Sequence, residues 1–153
     1  MRNLPPPLLA EANGLMALAL EEARRTPLVD VPVGAILLDA TGRVLSRGHN
    51  EREFRGDATA HAEVEAIRAA GRPRLDDCTL VVTLEPCTMC AGAILGARVG
   101  RLIFGAWEPK TGACGSLIDV LRDPPNLHRP EVLAGIREEE CAALMTEFFA
   151  SRR

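Results

Sequence analysis

Thr79-Leu80-Val81-Val82-Thr83-Leu84-Glu85-Pro86-Cys87-Thr88-Met89-Cys90 is the stretch whose reading decides the fold. The apolar run Thr79 to Leu84 reads as a buried strand, and Ala91 to Ala97 beyond the two thiols reads as a helix. Pro86 suits the first helical position, where its missing N–H would be unpaired anyway. Cys87 and Cys90, at i and i+3, then share one face of the first turn. The positive end of the helix dipole favours thiolate, the form that binds metal, so the stretch is prepared for a soft cation such as zinc.

Zinc takes four ligands, and two thiolates leave the set incomplete. His61-Ala62-Glu63 opens a second helical pattern, with Ala62, Ala66, Ile67 and Ala70 on one side, Gly71 as the stop, and Asp57 or Thr59 as caps. Positions i and i+2 point to different sides of a helix, so this helix must meet a metal end-on. His61, Cys87 and Cys90 would then be the ligands of one Zn2+ per chain. Three protein ligands with an open position describe a catalytic zinc, not a structural one.

The chain has 153 residues, enough for a single domain over 1–153 with a real core. Apolar residues make up 47% and charged residues 25%, ordinary globular usage, and no apolar run approaches the ~18 residues that span a membrane. The start, Met1 to Pro7, shows no signal-peptide pattern, and a cytoplasmic home is expected. The cysteines are odd in number, five, and unevenly spaced, which suits a reducing compartment with a metal site better than a disulfide frame. Cys78 and Cys141 sit on apolar faces and read as small buried hydrophobes. The net charge of −3 announces no nucleic-acid partner, so any phosphate contact must come from a local basic patch. Lys110 stands out as the only lysine beside seventeen arginines.

Taken in order, Leu8 to about Arg25 has helical spacing, and Val33–Asp39 and Val44–Gly48 form a hairpin around Ala40-Thr41-Gly42. A polar loop, Asn50 to Asp57, leads into the His61 helix, the Thr79 strand and the Cys87 helix. Leu102–Gly105 is a further strand, parallel to Thr79–Leu84 because a helix connects them. A short helix around Leu117 to Leu121, a weak strand at Val132-Leu133 and a last helix through Cys141, Leu144, Met145 and Phe148, ending at Arg152-Arg153, complete the pattern. The expected fold class is α/β: a three-layer α/β/α sandwich around a mixed five-stranded sheet.

The His-x-Glu and Pro-Cys-x-x-Cys pair resembles the zinc nucleoside and nucleobase deaminases, so the sandwich is expected to be cytidine deaminase-like. The likeness runs through Val31–Ala35, Asp57–Glu63, Val82–Ala93 and Lys110–Leu117, and the last of these blocks, with Phe148-Phe149, is similar to the tRNA-specific branch. What the resemblance implies is hydrolytic conversion of wobble adenosine to inosine in a tRNA anticodon. Glu63 would be the catalytic proton shuttle, and His61, Cys87 and Cys90 would hold the zinc. Asn50 would meet the purine edge, Ala62 the base through its backbone, and Val33 would wall the pocket. The adenine must be splayed from a single-stranded anticodon stem-loop, with Lys110, Arg129, His128 and Arg152 as candidate RNA contacts and Phe149 as a stacking face. A homodimer is also implied.

Overall fold

Strict alternation along the strands builds a separate core on each face of one sheet. In β1 (Gly34–Leu38), β3 (Thr79–Leu84) and β4 (Arg101–Ala106), the residues Ala35, Leu37, Leu80, Val82, Leu102 and Phe104 pack on one side. Their neighbours Ile36, Leu38, Val81 and Ile103 pack on the other. A strand buried on both faces reads as the continuous apolar run seen at 79–84. The first core is roofed by α3 (Ala62–Ala70) and α4 (Thr88–Gly96) through Ala62, Ala66, Ala91 and Ile94. The second is floored by α1 (Pro6–Ala23) and α5 (Glu138–Ala150) through Met16, Ala19, Leu20 and Cys141. This computed structural model describes residues 4–152. Arg153 therefore lies outside the described residues, as do Met1 to Asn3.

The five-stranded sheet runs β2-β1-β3-β4-β5, with β2 at Val44–His49 and β5 at Glu131–Leu133. β1 is antiparallel to both β2 and β3, whereas β3–β4 and β4–β5 are parallel. The mixed three-layer sandwich is thus as expected, with strand ends moved by a residue. The hairpin turn is held by Asp39, whose Oδ1 accepts from the backbone N–H groups of Thr41 and Arg43 at 2.9 and 3.0 Å. Gly42 takes φ +85° there. Among the described residues no helix is long and apolar enough to cross a membrane.

Local expectations fail where a distant partner wins. No helix forms over Leu117 to Leu121. Gly115, at φ +133°, lets the chain turn back on itself, and Val120 N–H donates to Ala113 O at 2.8 Å. Leu117 and Ile118 stay exposed. Neither Asp57 nor Thr59 caps α3, whose N-cap is His61. Asp57 instead accepts from the N–H and hydroxyl of Thr59, closing the turn before the helix. Pro86 is not in the first helical turn either, because α4 begins at Thr88 with Cys87 as its N-cap. The polar loop after Asn50 contains one short helix, α2 (Arg52–Arg55), capped from a distance by buried Asp30, which accepts from the N–H groups of Glu53 and Phe54 at 2.7 and 3.0 Å.

The helix that carries His61 lies almost on the backbone of β2. A Cβ at Gly48 would come within 2.3 Å of Ala62 O and 2.7 Å of Ala66 N. Gly48→Ala must push α3 outward, so we expect a loss of about 1–3 kcal/mol, typical of overpacking. This would appear as a fall of roughly 2–12 °C in Tm by circular dichroism. An unchanged Tm would contradict the close approach.

Candidate metal centre and active site

The parallel strands β3 and β4 end on the same side of the sheet, and the site lies there. Beyond Leu84 the chain turns into α4, and α3 packs alongside, so that two helix N-termini converge. His61 and Cys87 are the two N-caps, both in extended conformation, at φ/ψ of −79/152° and −75/177°. His61 Nδ1 lies 3.7 Å from Cys87 Sγ and 3.5 Å from Cys90 Sγ. The three ligand atoms all fall within 4.8 Å of one another. Tetrahedral zinc with Zn–S near 2.3 Å and Zn–N near 2.0 Å requires N···S spacings of about 3.6 Å, so the donor set fits that ion without rearrangement.

Electrostatics favour the same ion. Cys87 is pulled down to about 4, first by the hydrogen bond from Cys90 and then by the one from His61, against its own partial burial. Cys90 is pushed up, because it donates that bond and is buried. His61 is raised by its bond to the Cys87 thiolate. Glu63, 4% exposed, is raised chiefly by burial, which disfavours its charged form. A carboxyl so placed is suited to taking and returning a proton.

A cavity of about 250 Å³ opens over these residues. It is just below the ~300–1,000 Å³ of pockets for drug-sized ligands. Val33, Asn50, Ala62, Glu63 and Phe149 all line it, together with Arg52, Thr111 and Met145, which sequence reading did not single out. Asn50 is fixed at both ends of its amide: Nδ2 donates to Val31 O at 3.0 Å and Oδ1 accepts from Arg52 N–H at 3.1 Å.

Lys110 is exposed, one residue from the lining Thr111. Arg152 donates to Leu28 O and sits 3.8 Å over the Phe148 ring, next to the lining Phe149. His128 and Arg129 are not brought to the cavity. His128 Nε2 bonds Val99 O at 2.7 Å, and Arg129 donates to Pro124 O. Val99 precedes the start of β4, and the cavity lies beyond its end, the length of a strand, roughly 20 Å, away.

Glu85 was missed as a functional position. It is 2% exposed, and its carboxylate accepts from the N–H groups of Glu108, Cys114 and Ser116, each at 3.0 Å, and from the Ser116 hydroxyl. It thereby pins the 108–116 segment against Pro86 and Cys87, where Ala113 N–H also donates to Pro86 O at 2.9 Å. The available signal was an acid between a fully apolar strand and a metal motif, which must be paired if buried. Trp107 packs edge-on against Phe104 at 5.0 Å and so covers the core. Cys114, Cys78 and Cys141 are buried outside the ligand cluster, the last two pushed up to about 11 by burial.

A three-layer sandwich presenting His, Cys and Cys from two helix starts, beside a buried glutamate, defines a zinc-dependent deaminase domain. The chain belongs to the family of the cytidine and deoxycytidylate deaminase zinc-binding region, which it matches over residues 10–106. It is 45% identical to the tRNA-specific adenosine deaminase of Agrobacterium fabrum, over 95% of this chain and 98% of that protein. It is 47% identical over 96% of its length to the tRNA(Ile)-lysidine synthase of Deinococcus radiodurans, of which it spans only about a quarter, 25%. A structure solved in a study of A-to-I editing by tRNA:A34 deaminases at the wobble position superposes with a TM-score of 0.81 at 45% identity. That match covers 86% of this chain and 98% of the other.

Protons and zinc compete for the same three atoms. Because His61 is raised, zinc affinity should fall as pH drops through the imidazole range, by up to about tenfold per pH unit for each proton displaced. Competition with a chromophoric chelator measures this, and an affinity flat with pH would exclude His61 from the ligand set. Cys90→Ala should abolish stoichiometric zinc by elemental analysis while leaving the helical signal.

Proposed function

We propose that the chain is a zinc-dependent tRNA adenosine deaminase that converts the wobble adenosine of an anticodon to inosine. The observation that carries this reading is Glu63, buried and lining a base-sized cavity beside the three residues placed to hold zinc. High identity to a relative of that name supports the substrate. His61, Cys87 and Cys90 would hold the zinc, which when bound would supply the Lewis acidity that makes water a nucleophile near neutral pH. Glu63 takes a proton from the attacking water and delivers it to adenine N1 as the C6–O bond forms. Glu63 then takes the remaining proton from the new C6 hydroxyl and passes it to the amine, so that the C6–N6 bond breaks, ammonia leaves and the C6 oxygen becomes the carbonyl of inosine. A positioned shuttle of this kind contributes roughly 10²–10⁴-fold.

The rest of the chain positions the base and excludes water. Asn50, with its amide fixed, meets the purine edge, the Ala62 backbone meets the base, and Val33 forms the wall. Phe149 offers a stacking face at the mouth, and Lys110 and Arg152 hold phosphates flanking the extruded nucleotide. His128 and Arg129, far from the cavity, would meet the substrate only along its stem. The reading further includes a single domain, a homodimer and a cytoplasmic location.

Sequencing an anticodon stem-loop for inosine after incubation with the zinc-loaded protein tests the proposal. Ammonia release from free bases alone would replace it with a nucleobase deaminase. Glu63→Gln should keep zinc and fold and lose at least about a hundredfold in rate. A near wild-type rate would remove Glu63 from its role. Lys110→Ala should weaken stem-loop binding and reduce the salt slope by about 0.7–0.9, the loss of one phosphate contact, without altering zinc content. An unchanged slope would make Lys110 ordinary surface.

A further inference from the structure

Directly before Asn50, the His49 ring is bonded at both nitrogens to carboxylates. Nδ1 lies 2.9 Å from Glu22 Oε1 and Nε2 lies 2.8 Å from Glu51 Oε1. Each ring nitrogen thus has a carboxylate partner of its own, one from α1 and one from the segment after β2, so neither side of the ring is free to turn. Glu22 comes from the second core face of α1 and is 4% exposed, so it cannot be left unpaired cheaply. The other groups near the pair are more distant and more exposed: Arg25 Nη1 at 3.7 Å from Glu22 Oε2, and Arg55 Nη1 at 3.6 Å from Glu51 Oε2. Those guanidiniums meet the outer oxygens, while the inner oxygens depend on the ring.

What the ring ties together matters for the cavity. Glu22 belongs to α1, His49 ends β2, and Glu51 starts the segment leading to α3, where its N–H donates to Ala60 O at 3.0 Å, one residue before His61. Between them Asn50 N–H donates to Val33 O at 3.0 Å. From this geometry we infer that His49 is a positioning residue: a ring hydrogen-bonded at both nitrogens that clamps α1 to the 50–61 segment and so holds Asn50 at the edge of the base. The inference deepens the adenosine deaminase reading and rests on it for the role of Asn50. The two hydrogen bonds of the ring stand without it.

Two measurements on the zinc-loaded full chain test this. First, with 15N-labelled histidine, the Nδ1 resonance of His49 should move chiefly in Glu22→Gln and the Nε2 resonance chiefly in Glu51→Gln, each variant disturbing the nitrogen that its side chain faces. A ring nitrogen whose resonance is unmoved by substitution of the acid that faces it overturns the clamp. Second, His49→Gln should raise KM for the anticodon stem-loop about three- to tenfold, the worth of one misplaced hydrogen bond, with kcat and zinc content nearly unchanged. An unchanged KM, or an equal fall in kcat with loss of zinc, overturns the positioning role. If His49→Gln does not fold, Glu22→Gln carries the same KM test. Should the unsubstituted protein deaminate no stem-loop, the substrate reading fails, and the nitrogen shifts still decide whether the ring is held at both ends.

Discussion

Two helices must begin at the same point in space. His61 and Cys87 are both N-caps with extended backbones, and their side chains meet at the two helix starts, Nδ1 3.7 Å from Sγ. Neither helix alone could gather three donors around one ion, because i, i+3 spacing supplies two at most from a single turn. Convergence also sums two positive helix ends beside the Cys87 sulfur, an environment that favours the ionised sulfur.

That convergence is enforced from beneath. On one side, Gly48 leaves α3 so close to β2 that the helix has no room to settle elsewhere. On the other, the parallel pairing of β3 and β4 brings Leu84 level with Ala106, so the segments that follow both strands leave the sheet together. Glu85 then uses both carboxylate oxygens to fix the second of those segments to the first. The catalytic geometry is therefore a property of the sheet and of a few close approaches.

Most of this was legible because it is local. The Cys-x-x-Cys spacing, the His-x-Glu pair, the apolar run at 79–84 and the Gly71 stop each declare themselves within a few residues. What was not legible depends on contacts far apart in sequence. Asp30 caps a helix more than twenty residues later, and Glu85 reaches as far as Ser116. The turn at Gly115 defeats the apparent helix of 117–121 because the chain there pairs backward, through the isolated bridge of Cys114 with Asp119. His128 and Arg129 carried the right chemistry for phosphate, but composition contains no information on which end of a strand a loop returns to.

The stiffness of the cavity walls has a consequence for selectivity. Asn50 is held at both ends of its amide, and the 108–116 segment is stapled by one acid. With little give on the protein side, any mismatch between template and guest has to be absorbed by the guest. Nucleic acids that are already kinked and unstacked would enter at small energetic loss, whereas well-stacked duplexes would be turned away before a single base edge was inspected. Discrimination of this kind works by pliancy first and by letter second.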